Sequence, residues 1–158
     1  MTDKQIINGW LNDVQSDLVA NYHRLGLRAS GKWEESLESF VDPTQEGFSV
    51  GIKGQRYTGG LENGRKPNSN KSKEALKKWV GWAGSTVLKD WVQDKGLNIN
   101  PYAVAWKIAR SGWQVPNKHN EGGLVSDVVT TDRISQLNRE LVFNEVSELR
   151  SDLIRDLK

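Results

Sequence analysis

The chain has 158 residues, 36% of them hydrophobic and 27% charged, with a net charge of +2, seven Trp and no Cys. That length and balance suit one folded domain with a single core and exclude a low-complexity or disordered chain. The lack of Cys rules out disulfides, thiolate metal sites and thiol nucleophiles, and no apolar run approaches the ~20 residues a membrane span requires.

From the N-terminus, the polar start Met1-Thr-Asp-Lys-Gln5 lacks the apolar region of a signal peptide, so a soluble protein made in a cytoplasm is expected. Thr2-Asp-Lys-Gln5 reads as a capping box, and Ile7, Trp10, Leu11, Val14, Leu18, Tyr22 and Leu25 recur at spacings of three and four. A helix over residues 3–28 is predicted. Ser30-Gly31 interrupts it, and a helical turn through 33–37 follows. Phe40-Val41 and 48–52 read as two strands joined by the turn 42–47, with a third strand over 55–61. These strands predict a small antiparallel sheet.

Residues 63–72 read as a loop. Leu76, Trp79, Val80, Ala83, Val87, Leu88, Trp91 and Val92 then form a helical stripe, open to a break at Gly84-Ser85 and stopped by Gly96. Asn100-Pro101 starts another helix, with Asn as N-cap and Pro at the first helical position, and Gly112 closes it. Ala105, Ala109 and Gly112 give that helix a small-residue face. A polar loop covers 114–123. A long helix over 131–158 is predicted from the stripe Ile134, Leu137, Leu141, Val142, Val146, Leu149, Leu153 and Leu157, and at 1.5 Å per residue it reaches about 40 Å. No internal repeat and no linker divides the chain, so residues 1–158 are read as one domain.

The small net charge conceals an uneven distribution. Residues 1–50 carry 4 basic and 8 acidic side chains, residues 51–118 carry 13 and 4, and residues 119–158 carry 5 and 8. A basic block between acidic flanks is read three ways: a solvated surface, a contact with the acidic flank of a neighbouring copy, or a contact with DNA.

Catalytic chemistry finds little footing. Residues 26–32 spell most of a phosphate-binding loop, but Trp33 stands where the magnesium-binding Ser or Thr belongs, and a helix precedes it. His23 and His119 lack metal-ligand spacing, and Glu34, Glu35 and Glu38 are spaced as a solvated face. No catalytic residue, metal ligand or cofactor is assigned. Five of the seven Trp (Trp79, Trp82, Trp91, Trp106 and Trp113) fall in the basic block. Trp79 and Trp91 lie on the apolar stripe and read as core. Trp82 lies off it and Trp113 follows a helix-ending Gly, so for these two a subunit contact stands beside the core reading.

Several segments together carry a family resemblance: Ser30-Gly31 with Ser36-Leu37, Val50-Gly-Ile52, Tyr57 with Leu61-Glu62-x-Gly64-x-x-Pro67, Leu88-x-x-Trp91-Val-x-x-Lys95-Gly96, Tyr102-Ala-Val-Ala with Ile108-Ala-Arg-x-Gly112, and the acidic C-terminal helix. In this order they resemble the tail-completion (neck) proteins of tailed bacteriophages. The chain departs from the usual pattern at Gly64-Arg65, where Gly-Thr is customary, and in a Lys- and Asn-rich insertion after Pro67.

The resemblance implies an α+β subunit whose small curved antiparallel sheet packs against several helices, with long N- and C-terminal helices. It further implies a non-enzymatic structural protein of the virion, found in the host cytoplasm during assembly. Six or twelve copies would form a ring at the head–tail junction, joining the connector or portal side to the tail and surrounding the DNA channel, with weak non-specific DNA contact and no membrane. Arg65, Lys66, Lys71 and Lys73 are the candidate basic interface, Glu145, Glu148 and Asp152 the acidic one, and Trp82 and Trp113 the aromatic contacts. The alternative is a basic, Trp-containing nucleic-acid-binding protein; a small nuclease or amidase has no constellation behind it.

Overall fold

The computed structural model describes residues 1–156, and the predicted stripe position Leu157 lies outside the described residues. Helix α1 (Asp3–Arg24) opens on the predicted capping box, in which Gln5 N donates to Thr2 Oγ1 at 3.3 Å and Thr2 N donates to Gln5 Oε1 at 2.8 Å. It ends four residues before the predicted boundary. Its apolar face buries Ile7, Leu11, Val14, Leu18 and Tyr22. Helix α2 (Lys32–Glu35) is a single turn that drives Trp33 into the core, 1% exposed. The Trp33 ring stacks on Tyr22 at 4.4 Å and its Nε1 donates to Thr58 Oγ1 at 2.9 Å, so both the apolar body and the polar edge are satisfied.

Strands β1 (Glu38–Thr44) and β2 (Gly47–Lys53) form an antiparallel hairpin in the register Val41↔Val50 and Ser39↔Ile52. Pairing extends to Thr44↔Gly47, so both strands are longer than predicted and the turn shrinks to Gln45-Glu46. Val41 and Ile52 rest against α1, while Phe48 near the turn stands in solvent and Val50, opposite Val41, is exposed.

The predicted third strand over 55–61 is absent. In its place helix α3 (Thr58–Asn63) follows a turn in which Gly60 N and Leu61 N donate to the Tyr57 carbonyl. Its apolar residues, Tyr57 and Leu61, are four apart, a helical rather than a strand spacing. The helical turn also lets Thr58 meet Trp33 while Leu61 packs on the α1 core. The main sheet therefore has two strands.

A second, shorter ladder joins what read as two loops: β3 (Gly64–Arg65) pairs with β4 (Trp113–Gln114). Between them lie α4 (Lys73–Ser85), α5 (Val87–Asp94) and α6 (Pro101–Ser111). The break in the stripe falls at Thr86, where the hydroxyls of Ser85 and Thr86 donate to the Gly81 and Trp82 carbonyls in competition with the helical ladder. Asn100 caps α6 through Oδ1, which accepts from Tyr102 N at 2.9 Å. Leu76, Val80 and Ala83 of α4 meet Ala105 and Ala109 of α6 in a second core, where the small faces allow close approach.

Gly64 and Gly112 close the β3–β4 crossing. Both have positive φ, +76° and +73°, and the space a Cβ would need is filled by the Trp113 carbonyl at one and by the Arg65 carbonyl and Pro67 at the other. Residues 115–130 then return across α1, burying Asn120, Leu124 and Val128, and lead into α7 (Thr131–Asp156). The architecture is α+β with long terminal helices, as predicted.

Candidate assembly surfaces

Helix α7 runs antiparallel to α1, tied by Arg133 Nη1 to Asp17 Oδ2 at 2.7 Å near its start and by Asn144 Nδ2 to Asp3 Oδ1 at 2.9 Å farther on. Ile7, Leu11 and Leu137 pack together, with Leu141 beside them. Because α1 begins at Asp3, α7 loses its neighbour at Asn144 and continues to Asp156, an overhang of about 18 Å at 1.5 Å per residue.

The predicted single stripe is thus two. Leu137 and Leu141 face α1. Val142, Val146, Leu149 and Leu153 turn away from that face by roughly 140° on a helix of 3.6 residues per turn. With Phe143 and Ile154, they stand 50–74% exposed. A shallow hollow beside them is lined by Asn138, Arg139, Val142, Phe143 and Val146. The acidic candidates stand on the overhang: Glu145 exposed, Glu148 accepting from Asn144 Nδ2 at 3.2 Å, and Asp152 paired with Arg155 at 3.0 Å.

On the basic side the four candidates separate. Lys66, Lys71 and Lys73 are exposed. Arg65 is not a free loop cation: it is half-buried in β3, its guanidinium lies 4.2 Å over the Trp79 ring, and its Nη2 donates to Asn68 Oδ1 at 2.6 Å. Removal from water lowers its pKa, and Nη1 is buried without a partner. The loop around it is likewise held, since Asn68 N donates to the Ala109 carbonyl at 2.9 Å. Arg65 belongs to the fold rather than to an exposed interface.

The aromatic candidates Trp82 and Trp113 are 56% and 37% exposed, with Trp113 in β4 directly opposite Arg65. Trp79 is half-buried beneath Arg65, whereas Trp91, read from the sequence as core, is 36% exposed.

The residues weighed for catalysis resolve into local ties. Glu34 accepts from His23 Nε2 and from Arg28 Nε, the latter at 2.9 Å, and these two hydrogen bonds hold its carboxyl below the usual glutamate range. His119 donates only its backbone N–H to Asn117 Oδ1. Among the described residues no group of three His, Cys, Asp or Glu is placed to hold a metal ion, and no helix is long and apolar enough to cross a membrane.

Two polar residues do structural work that composition did not signal. Glu62 accepts from Val125 N at 2.8 Å and from Ser126 N at 3.2 Å. Burial pushes its carboxyl up, but the donors of Ser126, Val125 and Leu124 outweigh burial and the net displacement is downward. Asn120, 2% exposed, donates to the Leu61 carbonyl at 2.7 Å and accepts from Gly122 N at 2.9 Å. Both join the α3 turn to the 120–126 segment. An Asn in a polar loop carries no pattern that would separate it from solvated neighbours. Leu61-Glu62-x-Gly64-x-x-Pro67 is therefore a clip between chain segments.

No protein-family model matches the chain, and no curated protein or solved structure matches it.

Proposed function

We propose that the chain is a structural subunit of a tailed-bacteriophage particle: one of six or twelve copies in a ring at the head–tail junction, joining the connector or portal side to the tail around the DNA channel. The observation that carries this reading is the α7 overhang, a helix that leaves its own domain with apolar residues exposed and acidic ones beside them. Exposed apolar surface of this kind marks a site of association. The chain also supplies a complementary surface, because Lys66, Lys71, Lys73 and the exposed Trp82 belong to its basic middle. A head-to-tail contact between two different patches closes into a ring when the rotation between copies closes.

Mass spectrometry of purified virions tests the reading. The chain is expected among the low-copy structural proteins, and its absence from virions overturns the proposal. Within a ring, contact with DNA is weak and independent of sequence, so duplex binding is expected to fade steeply between about 50 and 200 mM salt through counterion release. The exposed Trp82 and Trp91 among Lys side chains favour one alternative, a nucleic-acid-binding protein whose aromatics stack unpaired bases. Tight, salt-resistant, sequence-selective binding is the result that would favour it.

A further inference from the structure

We infer that the outward seam of α7 pairs with the same seam of a second copy, as a short parallel two-stranded coiled coil in register. Val142, Val146, Leu149 and Leu153 follow the alternating four-three-four spacing of d, a, d and a positions. The seam is bounded: the preceding a position is Arg139 and the following d position is Asp156. Val146 at a with Leu149 at d, the two central layers, is the combination that favours two strands over three or four, while the end layers, Val142 at d and Leu153 at a, carry the reverse order. All four side chains are exposed, and α1 lies on the opposite side of α7, so two copies can approach seam to seam with their folded bodies outermost.

Charge selects the direction. In this frame Glu145 is a g position and Arg150 the following e position, and neither is ion-paired among the described residues. A parallel pair sets Glu145 of each copy against Arg150 of the other, twice by symmetry. An antiparallel pair with the same apolar layers, Val142 on Leu153 and Val146 on Leu149, sets Glu145 against Asp152 twice, which repels. Two heptads make a weak contact, so the pair is concentration-dependent. It is also isologous, whereas a ring contact is head-to-tail; the two are alternatives for one face, and the pair belongs to the free chain. Its existence does not rest on the virion reading, because it is measured in solution on the isolated protein.

The natural chain has no Cys, so single-Cys variants report one position each. Under mild oxidation the full chain carrying Val146→Cys, Leu149→Cys or Leu153→Cys should form covalent dimers about tenfold faster than Ser151→Cys, because a and d positions meet across the pair while f positions point away. A mixture of Val142→Cys and Leu153→Cys chains should give no excess of the mixed dimer. Glu145→Arg or Arg150→Glu should slow cross-linking through Val146→Cys, and the double exchange should restore it. Equal rates at Ser151 and the seam, preferential joining of positions 142 and 153, or failure of the double exchange to restore the rate would each overturn the inference. Unchanged far-ultraviolet circular dichroism verifies that each variant is folded.

Discussion

Helices α1 and α7 carry the same signature, apolar residues recurring at intervals of three and four along most of their length, yet they end in opposite environments. α1 buries five apolar residues against the β1–β2 hairpin, the 124–128 segment and α7. α7 buries Leu137 alone. Periodicity states that a face needs covering and says nothing of what covers it. For α1 the cover is this chain. For α7 it ends at Asn144, where its neighbour begins, and a change of phase between Leu141 and Val142 turns the remaining apolar residues away from the body.

Substitution can break this comparison at its strongest point. Leu11, 1% exposed, should lose about 2–5 kcal/mol of folding stability on replacement by Ala, through lost burial and a residual cavity. Leu149→Ala, on the overhang, should stay within about 0.5 kcal/mol, as surface changes do. Urea denaturation at low protein concentration measures both. A loss at Leu149 comparable with that at Leu11 would mean that the seam is covered within one chain.

A smaller effect sharpens the same contrast for polar groups. Glu62 is held by the fold, and Glu62→Ala removes the charged acceptor of the half-buried Val125 N–H and the exposed Ser126 N–H, a cost of about 1–3 kcal/mol. Its carboxyl is depressed in the folded state, so its contribution is present above the unfolded value of about 4.3 and is lost as pH falls through the lower folded value. The stability difference between the natural chain and Glu62→Gln should therefore be full near neutral pH and shrink on acidification below the ordinary glutamate range. A difference constant from neutral to strongly acidic pH would show that the carboxylate charge is not what matters.

Elements with local causes were legible in the sequence: the Thr2 capping box, the Asn100-Pro101 start and the α1 stripe stand where their residues place them, and α7 forms as a helix although its expected single stripe divides into two faces. Elements decided by distant partners were not. Gln55 through Leu61 reads as a strand until Trp33 and the 120–126 segment are present to reward a helical turn. The two-residue ladder of β3 and β4 joins segments almost fifty residues apart and leaves no periodic trace. Among the candidate interface residues the acidic helix and the three lysines kept their exposure, while Arg65 did not, because the aromatic ring that receives it comes from α4. Glu62 was visible only as part of a family-like motif, and its structural role required the backbone it caps.

The smallest effects test the divided basic candidates. Arg65→Ser removes a half-buried cation from the Trp79 ring and its hydrogen bond to Asn68, and should lower stability by about 1–2 kcal/mol, the range of a partly desolvated cation–π contact with a charged hydrogen bond. The loss is limited because the guanidinium Nη1 is already unpartnered, so part of the desolvation cost disappears with the side chain. Lys66, Lys71 and Lys73 offer no such contact, and exposed charges are worth only about 0–1 kcal/mol to folding. The triple Lys→Ser variant should therefore melt within about 4 °C of the natural chain, since a change of about 1 kcal/mol moves Tm by about 2–4 °C in a domain of this length. If these lysines face a neighbour in the proposed ring, the same variant should still fail to join heads to tails, leaving filled heads and free tails to accumulate. Normal yields of infectious particles from the triple variant would remove the lysines from the interface and leave α7 with the exposed Trp82 and Trp113 as the candidate surfaces.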